Sequence, residues 1–267
     1  MNLDYWHKQT LDKPLFPELI WSRPENRQLS GKLLIVGGNL HGFAAPGEAY
    51  NEALKAGVGA TRVVMPDSVR KLFDHLSNIP PEMEFAPSTP SGSFGQKALA
   101  EILSLSGWAD GILLAGDFGR NSETAIILDQ FTEKYQGQLT VTGDTVDYFT
   151  KTPELILHRP NTTFVLSLNQ LQKLTIQVHF KIAITSTMGL LRLVEALHEF
   201  TQELPANIVV NCIQDIVVAV NGEVSTTEFS QVTDNWQGAV AAHAAVWWLQ
   251  NPSRSFNAIT SSILDNK

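Results

Sequence analysis

The sequence predicts an α/β protein with a mainly parallel sheet covered by helices on both faces, and three observations carry that expectation. Apolar β-like runs alternate with helix-like segments along most of the 267 residues, the pattern of chained βαβ units. The stretch Lys32 to Val64 reads strand, glycine turn, helix, strand in about thirty residues, the size of one such unit. Apolar residues make up 43% and charged residues 17%, so the chain can bury a sizeable core. The length suits one domain spanning 1–267, in which residues 1–30, with Pro14, Pro17 and Pro24, read as an irregular lead-in.

From Lys32 onward each element has a local reason. The run Leu33–Val36 ends at Gly37–Gly38, where a ligand could approach backbone N–H groups closely. A helix over Ala45–Ala56 follows, ended by Gly57 and Gly59, and then a strand over Thr61–Met65. Helices are expected at Ser68–Leu76 and Gly95–Leu105, separated by a long Pro/Ser/Gly-rich loop from Ile79 to Phe94. Further strands are expected at Gly111–Leu114, Leu139–Thr142, Thr163–Leu166, Ile182–Thr185, Ile208–Val210 and Ile216–Val220. Helices over Ser122–Lys134, Asn169–Leu174 and Met188–Leu197 intervene. A last, Ala-rich helix spans Asn235–Gln250 behind Thr233–Asp234, a natural N-cap pair. Asp234 either caps that buried helix or sits where its free N–H groups meet an anion, and local chemistry alone favours the cap.

Composition narrows the function classes. With a net charge of −8 and no Lys/Arg cluster, nucleic acid is not expected as a partner. The one cysteine, Cys212, excludes an internal disulfide and a cysteine-rich metal site, and reads as a small buried residue. Ala239–Leu249 is too short to span a bilayer, and the N-terminus shows no apolar signal core. A cytoplasmic protein with no membrane partner is expected. The seven histidines lack metal-ligand spacing, and no metal site is expected. His41 reads as a solvated loop residue, and no Gly-x-Ser-x-Gly elbow is present.

Several segments together are similar to the NAD(P)H-hydrate dehydratase family of the ribokinase-like superfamily. Gly37–Gly38–Asn39, Ala44–Ala45–Pro46 and Lys55–Ala56–Gly57–Val58–Gly59 stand where the family has Gly-Gly-Ser, Gly-Ala-Pro and Arg-Ala-Gly-Ala-Gly. Ala115–Gly116–Asp117–Phe118–Gly119 matches Gly-Pro-Gly-Leu-Gly at its last glycine, and Asp144 keeps the second Asp of Asp-Ala-Asp. Gln231–Val232–Thr233–Asp234 stands where the family has Gly-Thr-Gly-Asp, and the register holds from about Pro24 to Leu249. The resemblance implies a ribokinase-like three-layer α/β/α fold and repair of hydrated NADH or NADPH using ADP or ATP, with Mg2+. It implies Asp234 as the catalytic residue, Gly37, Gly38, Asn39, Ala45 and Gly119 on the nicotinamide side, and Asn211, Thr233 and Asp144 at the nucleotide. It also implies a homo-oligomer with a small-molecule nucleotide ligand.

The departures point the other way. Val165–Gln170 (VLSLNQ) stands where the family has Thr-Pro-His-Pro-Gly-Glu, without the His or the Glu. Asn211–Asp215 (NCIQD) replaces Lys-Gly-Ala-Gly-Thr and supplies neither a phosphate counter-charge nor glycine, while Asp215 repels a phosphate. A divergent dehydratase and a non-catalytic binding or scaffold protein of the same fold therefore both stand. A sugar or vitamin kinase needs the same missing glycines and ranks third.

Overall fold

The computed structural model describes residues 3–73, 79–228 and 235–265. The amino-terminal half contains β1 (Trp6–Gln9), α1 (Pro17–Trp21), β2 (Lys32–Gly37), α2 (Ala44–Lys55), β3 (Ala60–Pro66), α3 (Asp67–Arg70), β4 (Met83–Ala86), α4 (Ala98–Ser106), β5 (Gly111–Gly116) and α5 (Ser122–Lys134). There follow β6 (Gln138–Thr142), α6 (Thr145–Phe149), α7 (Pro153–Leu157), β7 (Thr162–Leu166), α8 (Leu168–Gln177) and α9 (Leu190–Glu203). The chain closes with β8 (Asn207–Cys212), β9 (Asp215–Val220), β10 (Glu223–Glu228), α10 (Trp236–Gln250) and α11 (Ser255–Asp265).

The ten strands form one sheet in the order β1-β10-β9-β8-β7-β6-β5-β2-β3-β4. Pairing is parallel from β8 through to β4, and antiparallel where the hairpins β8–β9 and β9–β10 turn. Alternate residues of β2 face opposite layers. Leu34 and Val36 join a core with α4, α5, α8 and α9, while Leu33 and Ile35 join one with α2, α10 and α11. Both layers are built of buried apolar side chains, so the strands are apolar on both faces, as parallel strands between helices must be.

The sequence pattern placed most central strands and helices within a few residues. It missed three strands. β1 lies inside the expected irregular lead-in, pairs parallel to β10, and is pinned by Gln9, whose Nε2 donates to Thr227 Oγ1 (2.8 Å) and Thr260 O (2.7 Å). β4 lies inside the expected long loop, and β10 had no signal because its TTE stretch is polar. Ile182–Thr185 is not a strand. β7 pairs directly with β8, which leaves no ladder for it, and only Ile184 is buried. The expected helix at Ser68–Leu76 is a single turn over Asp67–Arg70, and residues 74–78 lie outside the described residues. α10 is buried without interruption from Val240 to Trp248, Trp247 and Trp248 included. Among the described residues no helix is long and apolar enough to cross a membrane.

Candidate functional site

Strand order locates the cleft. From β2 the chain moves outward to β3 and β4, then returns to β5 on the other side of β2. Between β2 and β5 the connections diverge, and such a switch point opens a crevice beyond the carboxyl ends of the two strands. The residues at those ends are Gly37–Gly38–Asn39 and Gly116–Asp117–Phe118–Gly119.

The two loops are latched together. Gly38 N donates to Gly116 O at 3.0 Å, and Asn39 Nδ2 donates to Asp117 O at 2.6 Å. Asn39 Oδ1 accepts from His41 N at 2.8 Å, which leaves the His41 ring in solvent. A Cβ on Gly37 would lie 2.5 Å from Gly116 O, so only glycine allows the strands this approach. Helix α2 lacks a capping side chain of its own. Asp117, held at φ +60, supplies one from across the crevice, its Oδ2 accepting from Ala45 N at 2.8 Å. A carboxylate there also suits the helix dipole.

Asp144, at the end of β6, occupies the second loop in the same manner. Its two carboxylate oxygens accept from Phe118 N and Gly119 N, each at 3.3 Å. Burial pushes the Asp144 carboxyl up from its ordinary value, these N–H groups pull it back, and the Asp117 charge adds to the rise. Tyr148 from α6 donates to Gly119 O and accepts from Asn121 N at 3.2 Å. Gln170 opens α8 in a capping box with Ser167. Its Nε2 reaches Gly143 O at 2.8 Å, and its Oε1 accepts from Gln237 Nε2 of α10 at 3.1 Å. This bond ties the amino end of α10 to the start of α8.

The structure brings Gly37, Gly38, Asn39, Ala45, Gly119 and Asp144 together. Asp144 groups with Gly119 and the loop after β5 rather than with Asn211. Asn211 is the last residue but one of β8, four strands from β2, or about 19 Å at roughly 4.8 Å per strand. Its Nδ2 is 3.4 Å from Asp215 O across a tight two-residue turn, Ile213–Gln214. Burial, and then the charge of Glu228, push the Asp215 carboxyl up. Ile213 takes φ +60 with its side chain exposed. The turn sets the Asp215 carboxylate beside Asn211, and the charge of Lys8 works against the effects of burial and Glu228 on it. Thr233 and Asp234 lie outside the described residues. Cys212 is buried, and among the described residues no three His, Cys, Asp or Glu side chains gather as a metal site.

Sequence reasoning overlooked Asp117, Tyr148 and the Gln170–Gln237 bridge. For Asp117 a signal existed. The helix starting at Ala44 follows Phe43, which cannot cap it, so a partner had to come from elsewhere.

Comparison with known proteins follows this geometry. No family model matches the chain. Over 96 residues it is 33% identical to the bifunctional NAD(P)H-hydrate repair enzyme Nnr of Methanothermobacter thermautotrophicus, a stretch covering 36% of this chain and 18% of that protein. The match thus spans less than a fifth of the curated relative. A ribokinase-like superfamily protein of Enterococcus faecalis superposes with a TM-score of 0.71 at 17% identity, covering 99% of this chain and 88% of the other. The ADP/ATP-dependent NAD(P)H-hydrate dehydratase of Bacillus subtilis, co-crystallised with ATP and Mg2+, superposes at 0.60 with 12% identity, covering 94% and 86%. The chain has the ribokinase-like fold, a three-layer α/β/α sandwich on a mainly parallel sheet.

Proposed function

We propose that the protein is a divergent ADP/ATP-dependent NAD(P)H-hydrate dehydratase acting on hydrated NADH or NADPH. The observation that carries this reading is the latching of Gly37–Asn39 to Gly116–Gly119 across the β2/β5 switch point. Residues matched to the family's nicotinamide side meet there in one crevice. In this reading Gly38, Ala45 and Gly119 form a wall against which a flat ring can lie, because none carries a bulky side chain. Asn39 holds the wall in register. Asp144 and Asp117 make the crevice electronegative, which favours a neutral or cationic ring over an anionic one. Asp234 is the proposed proton acceptor near the reacting hydroxyl, and Thr233 and Asn211 are assigned to the nucleotide side. The nucleotide, when bound, supplies the phosphoryl group that converts the hydroxyl into a leaving group. Turnover of hydrated NADH with ADP or ATP tests the reading, and a rate no higher than that of Asp234→Ala overturns it.

A second reading is favoured by the Ile213–Gln214 turn: a binding or scaffold protein that has lost the phosphate site. A ligand that binds only the folded state stabilises it by about 2.7 kcal/mol at a hundred times its Kd. Unchanged thermal stability at saturating ADP and ATP supports this second reading, and a clear rise rejects it.

A further inference from the structure

Beside the switch point lies an open cleft of about 700 Å³, lined by α5, α6 and α8 and by the loop that carries Gly119. Its volume is that of a small-molecule site. Three cations come to it from separate segments: Arg120 after β5, Lys151 after α6, and Lys173 on α8. Lys173 Nζ is paired with Asp147 Oδ1 at 2.8 Å. Arg120 and Lys151 have no carboxylate partner among the described residues. The second acid at the cleft, Asp144, is turned towards Phe118 N and Gly119 N. Three cations against two carboxylates therefore leave the cleft a net positive lining in a chain of net charge −8. This place lies on other elements than the Asn211–Asp215 turn.

We propose that this cleft binds a phosphoryl group, taking a phosphomonoester or pyrophosphate whose attached sugar and ring extend past Gly119 into the crevice. Arg120 offers a planar donor fork and Lys151 a point charge, the pair of chemistries that hold phosphate oxygens. Asp117 and Asp144 already fill the backbone N–H groups that open onto the crevice, so an anion finds its donors on the α5–α6 side. The ligand is thereby oriented, ring towards the carboxylates and phosphate towards the cations. The site requires no dehydratase chemistry.

Calorimetric titration with matched probes tests it: nicotinamide mononucleotide against nicotinamide riboside, and AMP against adenosine. The expected result is that the phosphate tightens binding about tenfold or more, the worth of one or two charge-assisted hydrogen bonds. The gain should shrink as salt rises, vanish in the double variant Arg120→Gln/Lys151→Gln, and persist in Lys134→Gln at the other end of α5. Both substituted side chains are exposed and make no ion pair among the described residues, so the double variant should melt with the wild type. A gain on only one probe pair supports the proposal and names the ring. No gain on either pair, or a gain that survives the double substitution, overturns it. Turnover of hydrated NADH separates the two ideas. No turnover with the phosphate gain intact sinks the dehydratase reading alone, and turnover without the gain sinks this one alone.

Discussion

Asp265→Asn tests how α11 is held to the rest of the protein. Asp265 Oδ2 accepts from Trp247 Nε1 at 2.9 Å and from Arg23 Nη1 at 3.0 Å. His243 Nδ1 lies 3.4 Å away, near enough for charge attraction but without hydrogen-bond geometry. The Nε2 of the same ring is 3.2 Å from Glu52 Oε2, so the cluster ties together α2, α10, α11 and the segment before β2. Burial by itself raises the Asp265 carboxyl, but His243, Trp247 and Arg23 outweigh it and hold it down at about 2, against an ordinary 3.8. A folded-state value below the unfolded one means stability that is fully present above about pH 4 and lost as pH falls towards 2. The gap is worth about 2 kcal/mol at 1.36 kcal/mol per unit, and the carboxylate, 29% exposed, retains most of that. Asn keeps an acceptor for Trp247 and loses the charge. Urea unfolding at stepped pH should show the variant about 2 kcal/mol less stable at neutral pH, with the difference closing below about pH 3. A difference that stays constant with pH refutes the electrostatic account, because a packing defect does not titrate.

Three further outcomes follow from named contacts. Gly37→Ala drives a Cβ to 2.5 Å from Gly116 O and should cost about 1–3 kcal/mol; an unchanged urea midpoint contradicts the close approach at the switch point. Gln170→Glu restores the family's residue but sets a carboxylate against Gly143 O and Asp147 Oδ2, which now accept from the Gln170 amide. A loss of about 1–3 kcal/mol is expected by thermal melting, and a stability gain contradicts the amide assignment. Arg159, 5% exposed, donates from Nη2 to Tyr135 O and Gly137 O at 2.6 Å each and from Nη1 to Thr162 Oγ1 at 2.9 Å. Arg159→Met orphans those buried acceptors and should cost about 3 kcal/mol or more by chemical denaturation.

Local pattern told most where burial is two-sided. β2, β3, β5, β6 and β7 are short apolar runs bounded by Gly, Pro or polar turns, and α5 was placed to the residue over Ser122–Lys134. Elements at or next to the sheet edges were illegible for the opposite reason. β1, β4 and β10 are short or polar, and they become strands because a neighbour offers an unpaired ladder. Ile182–Thr185 has the composition of a strand and none of the partners, so it stays a crossing segment.

The same division runs through the site. The residues alone determined the βαβ entry, the glycines at the strand ends, and the order of motifs that matches a ribokinase-like fold, because turn geometry and strand burial are local demands. Only the tertiary structure decided that Asp117 caps α2 from across the crevice and that Asp144 fills the N–H groups of the Phe118–Gly119 loop. It also decided that Arg120 and Lys151 face one cleft with no carboxylate partner among the described residues. Each of those facts joins residues about twenty-five to seventy positions apart, and such pairings exist only once the sheet order has set β6, β5 and β2 side by side.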